Sequence, residues 1–233
     1  MAAYTTIDNP ELYFQTKLYT GNNSTNAITL DGSEDMQPDM VWFKSRSATT
    51  DHAIFDAVRG VTKELRPNKT DYEDTASNGL TAFGTDGFTL GDWFVVNANS
   101  ATFVSWNWKV NGSGSSNSDG STSSTVSANT TSGVSLVKHT GTGSATNIGH
   151  GLGVAPKIVI SKRTNSANAW IFQSTLVADS WTSSNYLILN TTAAVASSTT
   201  IVDAASSDTI SFDGGDDWVN ASSDTYMHYI FTP

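Results

Sequence analysis

The sequence predicts an all-β chain of two tandem, duplicated antiparallel β-sandwich (jelly-roll-like) domains joined by a Ser/Gly/Asn-rich linker. Three observations carry that expectation. Lys and Glu are scarce while Ser, Thr, Asn and Gly abound, so β-branched and turn residues dominate over good helix formers. Short apolar runs alternate with the turn dipeptides Asp31-Gly32, Asn78-Gly79, Asp86-Gly87 and Asp213-Gly214. The second half of the chain also rewrites the first.

The repeat is clearest in "NANSATFVSWNW" (Asn97 to Trp108) and "NASSDTYMHYIF" (Asn220 to Phe231). Asn97-Ala98 aligns with Asn220-Ala221, Ser100 with Ser223, Trp106 with Tyr229 and Trp108 with Phe231. Earlier landmarks follow in the same order: Gly21 with Gly141, "PDMVWFKSR" with "PKIVISKR", and "LRPNKT" with "LILNTT". A repeat of this length is a duplicated domain. It gives a first domain over 1–110, a polar linker over 111–133 and a second domain over 134–233. The linker has almost no apolar side chain to offset the entropy of ordering it, so it is expected to be flexible.

Each element has its own signal. In "DNPELYF", Asn9 caps and Pro10 suits the first position of a single helical turn. "MVWFK" and "KIVIS" are strands opened by proline-led turns. "LTAFGTDGFTL" is a hairpin, and "DAVRGVTKEL" has helical spacing weakened by Gly60. In Thr102 to Trp108, alternation puts Val104, Trp106 and Trp108 on one face, with Trp42 and Trp106 expected in the core.

Composition excludes several functions. A net charge of -10 and a pI near 4.6 oppose nucleic-acid binding, which needs clustered Lys and Arg. The absence of cysteine removes disulfides and thiolate metal sites. No apolar run is long enough to cross a membrane as a helix, and the first residues lack the pattern of a secretory signal. His52, His139, His150 and His228 have no ligand spacing. No nucleophile elbow, zinc motif or phosphate loop occurs, and Gly149 to Gly153 reads as a tight turn. An enzyme is therefore not expected, and no cofactor is. Calcium is the one ion that "DGSED" and "DGGDD" could wrap, but neither has EF-hand spacing, and solvated turns are the expectation.

Seven tryptophans leave candidates for contact. Trp93, Trp181 and Trp218 lie beside turns and could meet a partner or stack on a glycan. Leu12, Tyr13 and Phe14 make the first segment more apolar than a solvated terminus needs, which suits docking.

Together, "PDMVWFKSR", "DHAIFDAVRGVTKEL", "GFTLG", "ATFVSWNWK" and "TGTGSATNIGHGLGVAPKIVISKR" resemble the tandem domains of virion-associated proteins of marine tailed phages, commonly described as tail-fibre-like or structural. The resemblance runs from about Tyr13 to the end. It implies a β-rich virion component, made in the host cytoplasm and released in assembled particles, whose partners are other tail or capsid proteins. It also implies a homo-oligomer, with a trimer expected, and transfers no catalytic residue. The first domain would anchor and the second would point away. The alternative is an adhesin binding a host-surface glycan; more distant are a capsid decoration protein and a polysaccharide-degrading enzyme.

Overall fold

The computed structural model describes residues 7–175, 181, 185–198 and 201–233. It is all-β, built from antiparallel sheets, none of them closed. The chain divides into two compact units: Met1–Arg66 with Asp74–Ser113, and Pro67–Glu73 with Gly114–Pro233.

Unit 1 opens with a 3-10 turn, Pro10–Leu12, capped as expected by Asn9, whose side chain accepts from the Glu11 N–H at 3.0 Å. The strands that follow are β1 (Phe14–Thr20), β2 (Asn26–Ile28), β3 (Met40–Ser45), β4 (Ala53–Asp56), β5 (Lys63–Glu64), β6 (Asp74–Thr75), β7 (Leu80–Gly84), β8 (Gly87–Leu90) and, after the short helix α1 (Phe94–Asn97), β9 (Thr102–Trp108). One sheet runs β1-β9-β3-β4 and a second runs β2-β8-β7. Tyr19, Val41, Phe43, Phe55 and Phe103 from the first pack on Ile28, Leu80, Phe88 and Leu90 from the second, and this apolar layer is the core. The β7–β8 hairpin stands where its Asp-Gly turn placed it. "DAVRGVTKEL" is not a helix. Asp56 ends β4, Gly60 takes a positive φ of 104°, and Lys63 and Glu64 pair with β6.

Unit 2 contains β10 (Ser115–Asn117), β11 (Ser124–Asn129), β12 (Val134–Thr140), β13 (Thr146–Gly149), β14 (Ile158–Arg163), β15 (Ile171–Ser174), β16 (Asn185–Ile188), β17 (Ala196–Ser197), β18 (Val202–Ala205), β19 (Thr209–Phe212) and β20 (Thr225–Phe231). Its large sheet runs β10-β11-β12-β20-β14-β15-β16-β17, and its small sheet runs β13-β19-β18. Val137, Val159, Ile171 and Ile230 meet Ile148, Val202, Ile210 and Phe212 between them.

The stretch 111–133 departs from the expected flexible linker, since β10 and β11 lie inside it. Strand β11 pairs with β12 from Ser124↔His139 to Asn129↔Val134, and Val126 enters the core. Serine-rich polar sequence is ordered here chiefly by a ladder of backbone hydrogen bonds to an existing strand, with Val126 as its one large apolar anchor. A second feature was not foreseen. Pro67–Glu73 belongs to unit 2, where the Thr70 carbonyl accepts from Asn168 N at 2.8 Å and from Lys162 Nζ at 3.3 Å. Lys162 is buried, which pulls its pKa down to about 8.

Strand order β12-β20-β14-β15 in unit 2 repeats β1-β9-β3-β4 in unit 1, and β13-β19-β18 repeats β2-β8-β7. Registers agree as well: Phe14↔Trp108↔Met40 in one, Val134↔Phe231↔Ile158 in the other. Each unit is pinned by one buried asparagine at the aligned position. The Asn97 amide donates to Ser24 O at 2.7 Å and Gly91 O at 2.6 Å, and its Oδ1 accepts from Asn22 N at 3.0 Å. Asn220 donates to Ser144 O at 2.7 Å and Gly214 O at 3.0 Å, and accepts from Thr142 N at 3.0 Å. A Cβ at Gly21 or Gly141 would strike the carbonyl oxygen of Ala98 or Ala221, so only glycine permits the approach.

Candidate functional site

The alternation of β9 is the reverse of the one expected. Phe103, Ser105 and Asn107 are buried against the core, and Val104, Trp106 and Trp108 are half-exposed on the outer face. The more apolar parity of the strand faces outward, so the alternation pattern points the wrong way and pairing with β1 and β3 decides. Of the inner polar groups, Asn107 Nδ2 donates to Ser105 Oγ at 3.0 Å and to the Gln15 carbonyl at 3.0 Å, while Asn107 Oδ1 is buried without a partner among the described residues. Bulky indoles at those places would have no room in the packed core. Trp42, also expected inside, is half-exposed on the same outer face. Tyr229 holds the register position of Trp106 but is buried, 2% exposed, and stacks on the buried Trp170 at 6.1 Å.

Cross-strand register assembles the outer face of unit 1 row by row. Phe14 stands beside Trp108, Thr16 beside Trp106 and then Trp42, and Leu18 beside Val104 and then Lys44. Phe14 is 39% and Leu18 55% exposed. Phe14 and Trp108 rings lie 5.0 Å apart, and Trp106 meets Trp42 edge-on at 6.4 Å. Trp42 Nε1 donates to His52 Nδ1 at 2.9 Å, which requires that nitrogen to be unprotonated. Burial, aided by the Lys44 charge, pushes the His52 pKa below its ordinary value and keeps it so.

The corresponding face of unit 2 is more covered: Val134, Leu136, Met227, Tyr229 and Lys162 are buried, while Ile158, Ile160 and Phe231 stay half-exposed. The face of unit 1 is thus the more open and the more aromatic of the two. That contrast makes the outer face of β1, β9 and β3 the candidate contact surface.

The residues expected to make contacts are distributed differently. Leu12 (37% exposed) and Phe14 are exposed and Tyr13 is half-buried, so the first segment adjoins the open face. Trp93 is half-buried against the unit 1 core, edge-on to Phe55 at 6.2 Å. Trp181 and Trp218 are half-buried against the unit 2 core, with Trp218 tilted on Tyr186 at 5.1 Å. No signal within "TFVSWNW" itself marks Trp106 and Trp108 as outward, since they lie on its more apolar parity.

Reactive groups are few. Among the described residues no three His, Cys, Asp or Glu side chains stand close enough to hold a metal ion. Ser161 Oγ, His228 and His139 form a hydrogen-bonded chain of 2.8 and 3.1 Å, but all three are buried and no carboxylate among the described residues completes it. A shallow apolar groove of about 290 Å³ on unit 2, lined by Phe172, Leu187, Ile188, Leu189, Thr191 and Ala193, offers no charged or reactive group.

Residues 9–233 match a family described as a domain of unknown function, DUF7483. The chain belongs to that family. DUF7483 therefore spans both units, including the Asn97 and Asn220 clamps and the open aromatic face. Neither the curated proteins nor the solved structures contain a match to the chain.

Proposed function

We propose that this chain is a structural protein of a bacteriophage virion, a tail-fibre-like appendage or tail- or capsid-attached component, built as a tandem duplication of one β-sandwich. The observation that carries the reading is the open aromatic face of unit 1. Phe14, Leu18, Trp106 and Trp108 keep an apolar surface in water, which a chain with no partner gains nothing from. The sequence resemblance to virion-associated phage proteins supplies the kind of partner, another virion protein. Matching strand orders, registers and asparagine clamps support the duplication. The jelly-roll description of each sandwich belongs to the same proposal.

Ring geometry favours a protein partner over a sugar. Neighbouring rings on the face are inclined at 52° and 77°, so they make no flat common platform for a pyranose. Such mutually tilted rings instead leave clefts between them that side chains of a partner can fill. The reading is non-enzymatic and needs no cofactor. It places the first unit at the anchoring end.

The test uses the full chain and particles lacking it. Phe14 and Leu18 are exposed, so the double variant F14K/L18K leaves the core untouched. Its uptake into particles is expected to fall at least about tenfold, as for the loss of a central interface anchor. Uptake equal to wild type would remove this face from the assembly.

A further inference from the structure

The buried histidine chain has a property that its companion unit lacks. His139 on β12 and His228 on β20 stack at 5.0 Å, and Phe212 from the small sheet covers both at 5.4 Å. The pair therefore sits where the two sheets of unit 2 meet. Ser161 Oγ contacts His228 Nδ1 at 2.8 Å, and His228 Nε2 contacts His139 Nδ1 at 3.1 Å. His139 Nε2 is buried without a well-formed hydrogen bond, and its neighbour is the Asn220 side chain, which partly offsets the effect of burial. One hydrogen fits between the two rings. If both rings carried a proton on each nitrogen, two N–H donors would face each other inside the core.

We propose that this chain is an acid-sensitive lock between the sheets of unit 2, closed while both imidazoles are neutral and opened by their protonation. Unit 1 has no counterpart. Register and alignment put Tyr19 at the place of His139, Ser105 at His228, Phe43 at Ser161 and Leu90 at Phe212. None of these takes up a proton in mild acid. From β12, β14, β19 and β20 the groups around the pair are Ser161, Phe212 and Tyr226, with Asn220 at the edge; Tyr226 has its pKa pushed up to about 12 by burial. Among the described residues no carboxylate or ammonium acts on either ring.

The direction follows from linkage. Burial lowers His139 from 6.5 to about 4, and lowers His228 well below 6.5, where the His139 charge adds to the effect. An unfolded chain binds these protons near pH 6.5, whereas the folded one takes up the His139 proton only near pH 4 and the His228 proton only well below 6.5. Stability is thus complete above the upper value and falls as the pH drops towards the lower one. His150, also pushed down by burial, acts in the same direction in unit 2, and His52 does so more superficially in unit 1.

Hydrogen exchange of the full chain, read by mass spectrometry on peptides from β12 and β20 against β1 and β9, separates the units. Between about pH 7 and about pH 5, protection in unit 2 relative to unit 1 should fall at least tenfold, since one unbalanced proton gives about tenfold per pH unit. In H139Q/H228N most of that relative fall should disappear, leaving only the difference between His150 in unit 2 and His52 in unit 1. An equal fall in both units, or the same fall in the variant, would overturn the proposal. Should the variant not fold, imidazole proton resonances of the wild-type chain decide. His139 and His228 staying neutral until unit 2 opens supports the lock, and titration of either near its ordinary value in the folded state refutes it.

Discussion

Replacing Arg59 by alanine is expected to cost about 3–5 kcal/mol, because it leaves a carboxylate buried without its counter-ion. Asp56 and Arg59 have side chains that are 0% exposed. Arg59 Nε lies 2.6 Å from Asp56 Oδ2, and the guanidinium also donates to the carbonyls of Lys63 and Ile54, each at 3.0 Å. Asp56 Oδ1 accepts from the Arg59 backbone N–H at 2.9 Å. The pair thus ties the end of β4 to the turn leading into β5, in the stretch that looks helical by spacing. Urea unfolding followed by circular dichroism should show the full cost in R59A and in D56A. The double apolar variant D56L/R59M should lose much less, since it buries no charge. A loss below about 1 kcal/mol in R59A would mean that water reaches the carboxylate and that the turn is not held by this pair.

Removing either asparagine clamp should rank next in severity. Asn97→Ala strands the carbonyls of Ser24 and Gly91 and the N–H of Asn22, and Asn220→Ala strands those of Ser144, Gly214 and Thr142. Each asparagine is buried, but Asn22, Ser24, Thr142 and Ser144 are exposed and water can reach part of the bonding they lose, so about 1 kcal/mol per lost bond gives roughly 2–3 kcal/mol per substitution. Exchange protection should fall in unit 1 for N97A and in unit 2 for N220A, by similar amounts. A large loss in one unit and none in the other would mean that the aligned asparagines do different work, and would weaken the case for duplication.

These clamps also explain what was legible in the sequence. Asn97/Asn220, Gly21/Gly141 and Ser100/Ser223 align because one local geometry occurs twice. Ser100 and Ser223 both adopt positive φ, 61° and 66°, and each glycine passes against the backbone of the residue after the asparagine. Positions with one acceptable residue type leave a clear mark. The parity of β9 misleads instead, because Val104, Trp106 and Trp108 make the more apolar face and yet stand outside, with Phe103, Ser105 and Asn107 buried. Only pairing with β1 and β3 fixes the choice. Strands β10 and β11 were invisible for a different reason: their order comes from backbone bonds to β12, and "STVSAN" has just one large apolar side chain to advertise it. The histidine chain escaped because ligand spacing along the sequence was the pattern sought. His139 and His228 are joined by neighbouring strands, and their link lies in the register Val137↔His228 and His139↔Tyr226.

The open face also revises which aromatic residues matter. Turn-flanking position singled out Trp93, Trp181 and Trp218, yet those rings rest against the two cores. Trp42, Trp106 and Trp108 stand on the open sheet face beside Phe14, where one surface continues into the exposed first segment. The expectation of an anchoring first segment and the geometry of the sheet therefore point to the same side of unit 1.

Immunogold labelling of intact, purified particles with antibody against this chain tests the central claim most directly. The virion reading predicts gold at a fixed site on the tail or capsid of most particles. Particles free of label, with the protein recovered only from the soluble fraction of the lysate, would contradict it.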